Sequence, residues 1–168
     1  MSRRRGIPML VGVAVAVAAT ACTGQSSDAH SAPATAGPTA RPAGCTAAVT
    51  NGSLPIWARA GFTPSTQSVL HISGAVGDIV GVLFGQPLRV PASPGRANKI
   101  LWISRVPVPV GSTLAIHATL ENTGLTVDRQ VAGGPGPSVI DVPRPGCWSF
   151  DLAWSGHVDR LSVPYEAG

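Results

Sequence analysis

Residues 146–165 read GCWSFDLAWSGHVDRLSVPY, with Trp148, Phe150, Leu152 and Trp154 separated by smaller or polar residues. Successive side chains of a strand point to opposite sides of a sheet, so this period of two puts four large apolar groups on one face. Ser155-Gly156 reads as a two-residue hairpin turn. It sets Trp154 opposite His157, Leu152 opposite Asp159, Phe150 opposite Leu161 and Trp148 opposite Val163. A face this bulky demands a second layer to cover it, and aromatic–aliphatic pairs across the hairpin add roughly 0.2–1 kcal/mol each. Cys147 falls on the opposite face.

The chain before the hairpin repeats the pattern in shorter pieces. Strands are predicted over 67–73, 78–84, 99–105, 113–120, 125–131 and 139–142, punctuated by glycine and proline, with no sustained helical stripe and no internal repeat. Residues 78–84 (DIVGVLF) are apolar on both faces, as a strand central to a packed sheet requires, and Trp102 between Leu101 and Ile103 reads as buried. The fold class is therefore all-β: about eight strands in a β-sandwich spanning residues 45–168, immunoglobulin-like in architecture. A tryptophan adjacent to Cys147, rather than well separated between the two cysteines, keeps the likeness architectural.

The first 21 residues have the order of an export signal, with Arg3, Arg4 and Arg5 ahead of an apolar run at 7–19 and small residues Ala19-Thr20-Ala21 before Cys22. The run is about 13 residues, short of the roughly 20 that span a bilayer. Two readings share the bond before Cys22. As a lipobox, departing from the usual leucine at Ala19, it makes Cys22 a lipidated N-terminus; as an ordinary A-x-A site, it releases a secreted protein. The three cysteines favour lipidation. With Cys22 modified, Cys45 and Cys147 remain as a disulfide pair in an oxidising compartment, the alternative being two free thiols. Closing a loop of about 100 residues stabilises by about 4–5 kcal/mol. Residues 22–44, mostly Ser, Thr, Ala, Pro and Gly, cannot bury enough surface to order themselves and read as a disordered tether, with a reach of ~25 Å.

Charge and motifs narrow the function classes. Of 12 Lys+Arg against eight Asp+Glu, three lie in the leader, so the formal balance falls from +4 to +1 without them. The remaining cations are scattered, and nucleic acid is not expected as a partner. His157 and Asp159 share a strand face, but His71 and His117 belong to other strands and His30 to the tether, so no metal site is expected. No G-x-S-x-G, H-E-x-x-H or S-x-x-K occurs, and Gly133-Gly134-Pro135-Gly136-Pro137 reads as a rigid loop rather than a phosphate cradle. No catalytic residue and no cofactor is assigned. Trp57, near Arg59 and Phe62, reads as closing one end of the core, with a stacking platform for a sugar or peptide as its alternative.

The stretches LPIWARAGF (54–62), GDIVGVLFG (77–85), NKILWISR (98–105), GPGPSVIDVP (134–143) and PGCWSFDLAWSGHVDRL (145–161) resemble a family of small exported proteins of Gram-positive bacteria. Its members are often predicted lipoproteins without an assigned function; NKILW and PGCW are the most specific parts. The resemblance implies an envelope location and a β domain, and brings no catalytic residues. The expectation is an extracytoplasmic protein held on the outer face of the membrane through Cys22. It presents a binding or structural surface to an envelope protein, peptide or polymer. The alternative is a cryptic envelope hydrolase whose Ser, His and Asp residues are assembled by folding.

Overall fold

The computed structural model describes residues 45, 49–63 and 68–168. The expected signal peptide (1–21), the tether (22–44) with Cys22 and His30, and Gln67 lie outside the described residues. The described residues form ten strands: β1 (Thr50–Gly52), β2 (Val69–Ser73), β3 (Ile79–Leu83), β4 (Arg89–Val90), β5 (Lys99–Ser104), β6 (Thr113–Leu120), β7 (Thr126–Ala132), β8 (Pro137–Val139), β9 (Gly146–Trp154) and β10 (His157–Ala167). They make two five-stranded sheets, ordered β1-β2-β3-β5-β8 and β4-β10-β9-β6-β7, so the chain is an all-β sandwich. The pairings are antiparallel except between β4 and β10.

The β9–β10 hairpin has the register that its turn dictates: Trp154 pairs with His157, Leu152 with Asp159, Phe150 with Leu161 and Trp148 with Val163. Ser155 (φ 46°) and Gly156 (φ 79°) are both left-handed, the conformation whose twist joins two strands through two residues. Trp148, Phe150, Leu152 and Trp154 are all buried against the facing sheet, with Leu161, Val163 and Tyr165 beside them. From that sheet Trp102 leans on Phe150, ring centroids 6.3 Å apart. Gly81, opposite Trp102 in β3, makes room for the indole: a Cβ there would sit 2.9 Å from its ring.

β3 is buried along its whole length because the first sheet is covered on both sides. Its inner residues Ile79 and Leu83 face the main core, while Val80 and Val82 lie under Leu54, Trp57, Ala58 and Phe62 of the segment that includes the 3-10 turn Ile56–Ala58. Trp57 is therefore half-buried on the outer face of this sheet, not at an end of the sandwich. The strand expected at 139–142 lies earlier, at β8. Ile140 and Val142 are buried as their alternation suggests. Past Val139 the pairing continues by one in-register bond, from Ile140 N–H to the Asn98 carbonyl at 3.0 Å, and Val142 lies beyond the last of these bonds. The short strands β1 and β4 carry too few residues for a periodic signal.

Burial and hydrogen bonding are matched at the polar ends of the core aromatics. Trp102, Trp148 and Trp154 donate through Nε1 to Ser138 Oγ, the Arg144 carbonyl and Ser104 Oγ, each at 3.0 Å. Tyr165, fully buried, donates its hydroxyl to the Ile140 carbonyl at 2.6 Å. Burial, reinforced by the nearby Asp141 carboxylate and opposed by Arg129, pushes the Tyr165 hydroxyl well above its ordinary range. A raised acid pKa means that the fold holds the proton more tightly than the unfolded chain does. The stabilisation is whole below the unfolded value, about pH 10, and is lost as pH rises beyond it. Tyr165 is the sole tyrosine, so phenolate absorbance in an alkaline titration should appear only together with unfolding seen by tryptophan emission. A phenolate titrating near pH 10 in a still-folded protein would contradict this burial.

Candidate functional site

Asp159 illustrates how the fold commits a residue that looked chemical in sequence. Between His157 and Pro164, β10 has β9 on one side and, among the described residues, no paired strand on the other, because β4 pairs only with Glu166 and Ala167. The β2–β3 turn fills that side. Ala75 N–H donates to the Arg160 carbonyl at 2.8 Å. The buried Asp159 carboxylate accepts the N–H groups of Val76 and Arg160 on Oδ1 and of Gly77 and Asp78 on Oδ2, at 2.8–3.2 Å. Gly74 lets the turn approach: a Cβ there would lie 2.2 Å from Asp159 Oδ2. His157 does share this face, but its ring packs beside Trp154, centroids 5.9 Å apart. Asp159 is a tie between the sheets, and His157 is packing within its own sheet.

The other histidines are equally separated. His71 is buried in β2, its Nδ1 2.8 Å from the Val69 carbonyl. His117 lies on the outer face of the second sheet, where Nδ1 meets Asp128 Oδ1 at 2.7 Å with both side chains largely exposed. No three His, Cys, Asp or Glu side chains converge as a metal site among the described residues, and His117 bonds to no hydroxyl among them. Cys45 and Cys147 form the expected disulfide, S–S 2.00 Å across 102 residues of sequence.

The surface best placed to meet a ligand is that outer face, which the sequence had not singled out. The registers of β7, β6, β9 and β10 line its residues up in ranks: Gln130, Ala115, Ala153 and Val158; then Asp128, His117, Asp151 and Arg160; then Thr126, Thr119, Ser149 and Ser162. Small side chains make the first and third ranks low, and the middle rank carries the charge. Its two in-sheet contacts, the Asp128–His117 hydrogen bond and the Asp151–Arg160 ion pair, point the same way along the rank. The Asp151 hydrogen bond, then its charge, raises the Arg160 pKa further, so the guanidinium is a permanent cation. At the β10 edge the β2–β3 turn rises beside the ranks, and Val76, Ala153, Val158, His117 and Arg160 help line a depression of about 530 Å³. Val76 and Val158 are both about two-thirds exposed. Chemically, the face offers an apolar shelf next to paired opposite charges and a row of hydroxyls.

Comparison of the chain with protein-family models, with curated proteins and with solved structures returned no match.

The Asp159 tie has a direct stability consequence. In Asp159→Asn one acceptor oxygen becomes an NH2 facing backbone N–H donors, leaving at least one of them unpaired, which costs about 2–4 kcal/mol. Urea unfolding followed by tryptophan emission should show a loss of that size; a change below about 0.5 kcal/mol would mean that the tie is not holding the sheets.

Proposed function

We propose that this chain is an exported lipoprotein, anchored through Cys22 on the outer face of the cell membrane, whose sandwich presents a binding or structural surface within the envelope. The observation that carries this reading is the Cys45–Cys147 disulfide. Such bonds persist where the compartment is oxidising, and pairing two of three cysteines leaves Cys22, beside the apolar leader, as the odd thiol. A diacylglyceryl thioether there supplies two chains, enough for lasting attachment where one chain is marginal.

The family resemblance fits the same reading, since its stretches fall largely on scaffold. LPIWARAGF covers the first sheet, NKILW runs from Asn98 into β5, and PGCW opens β9 with the disulfide and a core tryptophan. The longest stretch, 145–161, also carries Ser149, Asp151, Ala153, Val158 and Arg160 of the second sheet's outer face, the surface offered to an envelope protein, peptide or polymer.

Mass spectrometry of the protein isolated from cells tests the anchor. The expected result is an N-terminal peptide beginning at Cys22 with the mass of a diacylglyceryl group, together with a linked Cys45–Cys147 peptide. An unmodified Cys22 would overturn the anchor, and free thiols at 45 and 147 would overturn the oxidising compartment.

A further inference from the structure

We propose that the outer face of the second sheet is a self-complementary interface on which a second copy of this chain docks, about a two-fold axis parallel to the strands and passing between β6 and β9. The argument is the order of charge along the middle rank. Asp128 sits on β7 at one edge, Arg160 on β10 at the other, with His117 and Asp151 between them. Two sheets packed face to face by such an axis reverse the order of strands across the rank. Arg160 of each copy then lies over Asp128 of the other, and His117 over Asp151, so that the two in-sheet contacts of one copy stack antiparallel on those of its mate, with an Arg–Asp ion pair at each edge. An axis along the rank instead would set Asp128 on Asp128 and Arg160 on Arg160. The charge pattern therefore selects one of the two isologous arrangements.

The flanking ranks fit the same operation. Ala115 meets Ala153, Thr119 meets Ser149, and Thr126 meets Ser162, small groups that let two sheets approach. At the edges Gln130 of one copy meets Val158 of the other, in the depression beside Val76. Four strands ~4.8 Å apart and three side-chain steps ~6.8 Å apart give ~400 Å² of face per copy, or ~800 Å² for the pair, the size of a weak, transient association. The dimer is accordingly reversible. An axis parallel to the strands also leaves the Cys45 ends of both copies on the same side, because Cys45 is bonded to β9 at Cys147. Two tethers can then reach one membrane, where confinement raises the effective concentration. That last point rests on the lipid-anchor reading; the charge order does not.

Sedimentation of the cell-derived protein in density-matched detergent measures protein mass whether or not lipid is attached, so it stands independently of the state of Cys22. A dilution series should show a monomer–dimer equilibrium. Arg160→Asp or Asp128→Arg alone should weaken it ~10-fold or more, and the two substitutions together should recover it, with tryptophan emission unchanged throughout. Monomer at every concentration, a dimer indifferent to the single substitutions, or a double variant no better than the single ones would each overturn the proposal.

Discussion

The burial of one row of side chains, Trp148, Phe150, Leu152 and Trp154 on β9, sets the rest of the molecule. Each removes enough apolar surface from water to contribute about 1.5–3 kcal/mol, but only if a second sheet closes over it. The first sheet does so with Ile79, Ile100 and Trp102, thinned at Gly81 so that the Trp102 indole has room. The indole N–H groups then fix orientation as well as depth, because an unpaired buried donor costs about 1–3 kcal/mol. Trp148 and Trp154 can satisfy theirs only by facing Arg144 and Ser104.

Three polar or covalent ties hold the layers at defined positions. Near the hairpin turn, Asp159 of the second sheet gathers the amides of the β2–β3 turn from the first. Near the other end, Asn98 uses its side chain as a short strand: Oδ1 accepts from Arg89 N–H, and Nδ2 donates to the Arg89 carbonyl and to Asp141. That holds β4 in place beside β10. The Cys45–Cys147 bond ties the segment leading into β1 to the outer face of β9. With two cross-links at one end and one at the other, β6, β9 and β10 are held as a firm platform, and it is their outer side that is left to meet other molecules.

How much of this was legible follows from the range of each signal. The β9–β10 register depends on a turn of two residues and a period of two, so it could be read residue by residue, as could the buried β3 and the alternating β6. The disulfide was open to counting because only two cysteines remained for the domain. The ranks of the outer face were half legible: the turn fixes Asp151 opposite Arg160, whereas His117 opposite Asp151 depends on how β6 docks on β9, a contact between residues more than 30 positions apart that local pattern does not encode. Val142 misled because alternation reports burial, and its burial occurs beyond the end of the β5–β8 ladder. Trp57 did so because a sequence cannot say which of several apolar faces an aromatic will cover.

The role proposed for this protein uses the core only as a support, so its strength decides whether the exposed ranks keep their spacing. Phe150 lies at the centre of the buried row, against Trp102 and opposite Leu161. The most direct measurement is the unfolding free energy of Phe150→Ala by urea titration. Loss of a ring from a closed core leaves a cavity and should lower stability by about 3–5 kcal/mol; a loss below about 1 kcal/mol would show that the β9 row is not what holds the two sheets together.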